Sequence, residues 1–228
     1  MRICLFDIDG TLIRSGGAGQ LAFENAMEVV FGIKTTNHSI PFRGRTDRAI
    51  MGDLFAYCGV ENNHQSWQLF LKAYLDHLPG CMDERDGNVL PGVVDLLDQL
   101  SQRQDVAVGL LTGNVAEGAQ IKLGYFGIAH YFHFGGYGDH HPQRELVAQD
   151  AVSAARLHLG IPFENKQVCV IGDTPHDIRC GRAIGARVVG VCTGSHSANE
   201  LAATSPDLLI ETFSQPEPLL EVLFREHL

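Results

Sequence analysis

Two aspartates two residues apart, Asp7-Ile8-Asp9, follow directly on the apolar run Ile3-Cys4-Leu5-Phe6 and precede Gly10-Thr11. Carboxylates held this close divide labour: one stays ionised as nucleophile or metal ligand, while the other, its pKa raised by like charge, carries a proton. A second polar cluster, Thr112-Gly113-Asn114, follows the apolar run Val106 to Leu111, and a third, Gly172-Asp173-Thr174-Pro175-His176-Asp177, follows Val168 to Ile171. Asp7, Asp173 and the Asp9 carbonyl are hard oxygen donors, in the small number that Mg²⁺ takes alongside waters and a phosphate oxygen. Thr174 as N-cap and Pro175 at the first helical position put Asp177 in a helix's first turn, beside Asp173, where it could order a metal-bound water. The expected metal set is therefore Asp7, Asp9, Asp173 and Asp177. Thr112 offers a hydroxyl to a phosphoryl oxygen, and the Gly113 and Asn114 amides, at a helix N-terminus, offer an anion site.

These clusters need elements that bring them together. The three apolar runs lack polar alternation, as strands covered on both faces do. Helical patterns alternate with them: Val93 to Leu100, Thr112 to about Tyr125, Gln143 to Leu159 and Ile178 to Ile184. Further strands are expected at Val188 to Val191 and Leu208 to Ile210, with short helices near Ala198 to Ala203 and Pro218 to Phe224. That alternation predicts an α/β fold with a parallel sheet and right-handed crossovers, in which all strand C-termini share one edge. Three polar strand ends can then converge on one site.

Between Ile13 and Val89 strand signals are nearly absent. Helices are expected from about Gln20 to Phe31, from Thr46 as N-cap to Cys58, and from His64 to Leu78, the last stopped by Pro79-Gly80. Trp67, Phe70, Leu71 and Tyr74 read as that third helix's packing face. The organisation is a helical insertion, residues 15–89, within an α/β domain made of residues 1–14 and 90–228.

The chain has 228 residues and a net charge of −10, which argues against a nucleic-acid partner. No apolar run is long enough for a membrane helix, and the first strand leaves no room for a signal peptide, so a cytoplasmic protein is expected. Six scattered cysteines without zinc-finger spacing fit reduced thiols. His130, His133, His140 and His141 lack a helical ligand spacing and are not expected to hold metal.

Asp7-x-Asp9-Gly10-Thr11, Thr112 ending a later strand and Gly172-Asp173-x-x-x-Asp177 ending another together resemble the haloacid dehalogenase superfamily, particularly its phosphoglycolate phosphatase-like branch. The resemblance spans nearly the whole chain. It implies a Rossmann-like core with an inserted helical cap, and a Mg²⁺-dependent phosphatase acting on a small phosphorylated metabolite, phosphoglycolate-like or a sugar phosphate. Asp7 would take the phosphoryl group as an aspartyl-phosphate, and Asp9 would protonate the leaving oxygen and later activate water. Residues 15–89 would be the mobile cap, with Gly16, Gly17 and Gly19 in its hinge.

The family's usual lysine before the last acidic motif is absent; the stretch Asp139 to Leu146 carries Arg144 instead. A crossover helix begins at the sheet edge where strands end, so Arg144 is expected on the active-site side, pairing with Asp7. Lys166 falls at the opposite edge. Lys122, two turns into its helix, sits roughly 10 Å along the axis from the site. In the cap segment, Arg45, flanked by Arg43 and Arg48, is the expected substrate contact.

Other activities share parts of this pattern. A literal dehalogenase needs no acid at Asp9, and a phosphonatase needs a cap lysine whose surroundings mark it, which Lys34 and Lys72 lack. A phosphosugar mutase shares every core motif. A phospho-acceptor switch would place its acceptor well inside the chain and carry no cap. A monomer or dimer, free of membrane, is expected.

Overall fold

The computed structural model describes residues 1–35 and 39–224. The described strands are β1 (Arg2–Phe6), β2 (Ile13–Arg14), β3 (Asn88–Val89), β4 (Val106–Leu111), β5 (Gly135–Gly136), β6 (Val168–Gly172), β7 (Arg187–Val191) and β8 (Leu208–Ile210). The helices are α1 (Ala18–Phe31), α2 (Asp47–Cys58), α3 (His64–Glu84), α4 (Val93–Ser101), α5 (Ala116–Tyr125), α6 (Arg144–Leu159), α7 (Pro175–Ala183), α8 (Ala198–Ala202) and α9 (Glu217–Phe224). Six strands form a parallel sheet in the order β5-β4-β1-β6-β7-β8. β1 is therefore flanked by β4 and β6, the two strands whose ends carry the other polar clusters.

β1 shows why its run has no polar alternation. Cys4 and Phe6 enter one apolar cluster with Leu96, Leu100 and Leu123, whereas Ile3 and Leu5 enter another with Ala148, Ala151 and Cys180. Helices α4, α5 and α9 cover the first face, and α6 and α7 the second, so the four side chains from Ile3 to Phe6 all need to be apolar. Truncating Phe6, which is fully buried, to Ala would cost about 3–5 kcal/mol. α4 is bound to its face by Val93, Leu96, Leu97 and Leu100, at the spacing of one helical stripe.

α1, α2 and α3 build a separate cluster around Phe23, Phe55, Phe70 and Tyr74, which extends onto α5 through Val115 and Ile121. α3 does not stop at Pro79-Gly80; it continues to Glu84. Pro79 forfeits one backbone hydrogen bond, but buried Leu78, Cys81 and Met82 prolong the stripe begun by Phe70 and Tyr74, and their packing holds the helix together. The near absence of strand signal also hid a small ribbon. β2 pairs antiparallel with β3, Ile13 opposite Val89 and Arg14 opposite Asn88, where the chain leaves and re-enters the sheet layer. All six cysteines are free thiols. No described helix is long and apolar enough to cross a membrane.

Candidate active site

The ends of β1, β4 and β6 converge on a cleft of about 460 Å³ lined by Asp7, Asp9, Thr112, Asn114, Arg144 and Asp173, among others. Gly10 turns the chain away from β1 at φ +91°, and a Cβ there would stand 2.4 Å from the Asp173 carboxylate, so only glycine lets the two strand ends meet.

One side of the cleft is a carboxylate cluster. Asp7, Asp173 and Asp177 each present an oxygen within 4.8 Å of the others, and all three are buried. Arg144, in the first turn of α6, donates from Nη2 to Asp7 Oδ1 at 3.1 Å, to Asp177 Oδ1 at 2.5 Å and to the Leu111 carbonyl at 3.3 Å. The expected Arg144–Asp7 pair is present. Asp177 is committed beyond the expectation of a water-ordering group: its Oδ2 accepts from the amide and hydroxyl of Thr174, closing a capping box with Pro175 at the helix start. Asp173 accepts from the Thr11 hydroxyl at 3.1 Å.

Three carboxylates face one guanidinium. Burial, then the charge of Asp177, push the Asp7 carboxyl up to about 7 against the pull of Arg144. Burial and the charges of Asp177 and Asp7 raise Asp173 well above the usual carboxylate range. The surplus of negative charge and an all-oxygen donor set fit a hard divalent cation such as Mg²⁺. Among the described residues this is the group of three or more His, Cys, Asp or Glu donors close enough to hold an ion; the Asp9 carboxylate lies outside it.

Asp9 belongs to a second network. Its carboxylate accepts from Ser15 Oγ at 2.7 Å, Asn114 Nδ2 at 2.9 Å and Lys122 Nζ at 2.6 Å. Burial alone would raise its pKa, but the Lys122 charge and these hydrogen bonds together hold it below the usual carboxylate value. Without a bound cation, Asp7 is thus the weaker acid of the two, because burial and like charge act on it while a cation sits on Asp9. Lys122 itself contradicts its expected distance. It is buried, and its Nζ also donates to Asn114 Oδ1 at 2.6 Å. Helix side chains lean toward the N-terminus, and the lysine stem adds about 6 Å of reach at ~1.5 Å per bond, so a residue two turns in still arrives at the strand end.

Thr112 is fully buried and its hydroxyl accepts from the backbone and side-chain nitrogens of Asn114. The helix N-terminus beside the expected anion site lies further along the chain, and the Asn114 amide donates to Thr112 Oγ1 at 3.3 Å. α5 begins only at Ala116, and the amides of Val115 and Ala116 are taken by Asp47 Oδ2 at 2.8 Å and Asp139 Oδ2 at 2.9 Å. A Cβ on Gly113 would fall 1.9 Å from the Arg45 carbonyl, so the segment that leads into α2 lies directly on this loop. The Arg45 side chain lines the cleft, but its guanidinium pairs with Asp53 at 2.7 Å and the Pro41 carbonyl at 3.1 Å. Asp47, at the start of α2, donates its amide to the Gly113 carbonyl at 2.7 Å and, chiefly through burial, has its carboxyl pushed up to about 7.

Sequence reasoning missed Lys122, Asp47, Tyr74 and the end of β7. Thr193 donates to the Gly10 carbonyl at 2.7 Å, and a Cβ on Gly194 would meet Asp173 Oδ2 at 1.8 Å. Cys192-Thr193-Gly194-Ser195 after an apolar run is a fourth polar strand end, and that signal was legible.

A family model described as Haloacid dehalogenase-like hydrolase matches residues 4–191. A phosphoglycolate phosphatase of Pseudomonas fluorescens (strain Pf0-1) is 29% identical over 92% of this chain and 76% of its own length. A Dickeya dadantii (strain 3937) protein named Probable phosphatase IndB is 26% identical over 93% and 90%. The crystal structure of a predicted phosphoglycolate phosphatase from Haemophilus somnus 129pt superposes with a TM-score of 0.72 at 20% identity, covering 96% of this chain and 98% of that one.

Proposed function

The chain belongs to the haloacid dehalogenase-like hydrolase family, and from that premise we propose that it is a phosphatase of a small phosphorylated metabolite that works through an aspartyl-phosphate on Asp7. The observation that carries this reading is the division of one cleft into two networks: the Asp7, Asp173, Asp177 cluster with Arg144, and the Asp9, Asn114, Lys122 cluster. A carboxylate nucleophile and a separate acid–base group are what phosphoryl transfer in two steps requires.

In the first step a carboxylate oxygen of Asp7 attacks phosphorus, the bond from phosphorus to the leaving oxygen breaks, and that oxygen takes a proton from Asp9. Asp9 is ionised when paired with Lys122; an arriving phosphoryl dianion raises its pKa and lets it take up the proton it delivers. In the second step Asp9 receives a proton from water as that water attacks phosphorus, and the phosphorus–Asp7 bond breaks. Arg144 and the Thr112 hydroxyl offset the charge on the phosphoryl oxygens. Asp7 and Asp173, with the Asp9 carbonyl and Asp177 nearby, would hold Mg²⁺, which when bound supplies further positive charge to those oxygens.

Residues 1–14 and 90–228 form the hydrolase core in this reading, and residues 15–89 the cap that closes on it. The separate apolar cluster of α1, α2 and α3 supports that division. We read the protein as cytoplasmic, as reduced cysteines fit, and as a monomer or dimer; its acidic charge argues against a nucleic-acid partner.

A phosphate-release screen with Mg²⁺ over two-carbon acids, sugar phosphates and nucleoside monophosphates tests the reading, with Asp7→Asn as the inactive control. Silence across the panel in folded protein would defeat it. Interconversion of a sugar phosphate without net phosphate release would reassign the chain as a mutase.

A further inference from the structure

Tyr74 belongs at once to the helical layer and to the cleft. Its ring packs edge-on against Phe23, centroids 4.5 Å apart, and the residue is 1% exposed. Tyr74 also lines the cleft, and its buried hydroxyl has no hydrogen-bond partner among the described residues. On the α5 side the hydroxyl oxygen lies 3.3 Å from where a Cβ on Gly118 would stand, so glycine there makes its room. Buried hydroxyls almost always have a partner. Burial, then the carboxylates of Asp47 and Asp9, push the phenol's pKa well above its ordinary value, so the group acts as a donor.

What arrives beside Tyr74 follows from Asp9. As the acid, Asp9 meets the leaving oxygen, so the atoms attached to that oxygen lie on the Asp9 side of the cleft. Gln20, Phe23, Tyr74 and Lys122 all line the cleft; Lys122 is bonded to Asp9, Phe23 packs on Tyr74, and the Asp9 charge acts on the Tyr74 phenol. Lys122 spends donors on Asp9 and Asn114, and its Nζ stands 3.3 Å from the Cβ position of Gly19, which keeps this end open. A leaving group entering there meets one rigidly held donor with nothing to donate to.

We propose that Tyr74 is a specificity-determining residue whose hydroxyl donates to an oxygen carried by the leaving group beyond the ester oxygen. The preferred substrates are then short phosphomonoesters bearing a hydroxyl or carboxylate close to the ester. This rests on the phosphatase reading above. A site built to hydrogen-bond a substrate oxygen discriminates against the analogue that lacks it, because the buried donor is left unpaired.

The test compares wild type and Tyr74→Phe on matched esters: phosphoglycolate and 2-hydroxyethyl phosphate against ethyl phosphate, and glycerol phosphate against propyl phosphate. Wild type should prefer the oxygen-bearing members. Tyr74→Phe should lose roughly tenfold in kcat/KM on them, mainly through KM, while changing less than about twofold on ethyl and propyl phosphate. Its thermal midpoint should stay equal or rise, since no internal hydrogen bond is lost. Equal loss on both members of a pair, no loss on either, or a fall in thermal midpoint would overturn the assignment. So would hydrolysis of p-nitrophenyl phosphate with silence on every oxygen-bearing ester, which leaves the phosphatase reading standing. Silence on p-nitrophenyl phosphate and the whole panel would defeat that reading and this inference with it.

Discussion

Lys122 Nζ and Asp9 Oδ2 lie 2.6 Å apart, joining the second turn of α5 to the turn after β1. The contact orients the expected acid–base carboxylate and holds it ionised in the absence of substrate. Lys122→Met keeps the stem and removes the charge, so the Asp9 pKa should rise and turnover should fall by roughly 10²-fold. The alkaline limb of the kcat/KM profile, set by Asp9 as the acid of the first step, should move to higher pH. An unshifted limb would mean that the pair only packs.

The Arg144 hydrogen bonds to Asp7, Asp177 and the Leu111 carbonyl all leave from one nitrogen. Arg144→Ala leaves Asp7 and Asp177 buried without a cation, which should cost about 3–5 kcal/mol in urea unfolding without Mg²⁺ and suppress turnover. Arg144→Lys should recover part of both, because one ammonium can occupy the place of Nη2. Lys166, exposed and paired with Glu164, should tolerate alanine with little change. The opposite ranking would contradict this role for Arg144.

Asp47 sets a pH dependence. Its carboxyl titrates near 3.9 when unfolded and at about 7 when folded. Between those values the folded state binds more protons at this group than the unfolded one, so the Asp47 contribution to stability is fully present below about pH 4 and is lost as pH rises through 7. Asp47→Asn should leave the thermal midpoint at pH 4 unchanged and raise it at pH 8, by roughly 2–4 °C for each kcal/mol relieved. Asp7 contributes a slope of the same sign, so the variant's curve should be shallower and not flat. Superimposable curves would refute the assignment.

The carboxylate cluster predicts opposite effects on stability and on metal response. Asp173→Asn removes like charge beside Asp7 and Asp177, so the metal-free variant should melt higher than metal-free wild type at pH 8. Mg²⁺ should raise the midpoint of wild type in a concentration-dependent way and leave the variant nearly unchanged. Calorimetric melts with EDTA and with a Mg²⁺ series check both halves. An equal Mg²⁺ response in the two proteins would move the metal elsewhere.

The sheet was legible because β1, β4 and β6 are covered on both faces and their composition records it without reference to anything distant. Their adjacency followed from the polar groups at their ends. Arg144 could be placed because topology alone puts a helix start at the strand-end edge. Lys122 could not be placed by axial distance, since its reach depends on side-chain direction and length. Asp47 and the Tyr74 hydroxyl were hidden for another reason: both act across the contact between α1 to α3 and the strand ends, and local pattern carries no record of what a helix faces in another layer. Pro79 reads as a stop wherever packing does not outweigh it, and here buried Cys81 and Met82 do.

The β2–β3 ribbon has a consequence for how such a molecule can be rebuilt. Because Arg14 stands opposite Asn88, the segment between them departs and returns at neighbouring points and asks the sheet to close almost no gap. A tight turn joining the ends of the ribbon, or a foreign helical unit spliced there, would leave all six parallel strands in register, since loop closure cost grows only slowly with the length inserted. Under the proposed function, substrate choice and phosphoryl chemistry would be carried by separately exchangeable lengths of chain, and a graft at Arg14 and Asn88 would transfer the former while keeping Asp7, Asp9, Lys122 and Arg144 where they are.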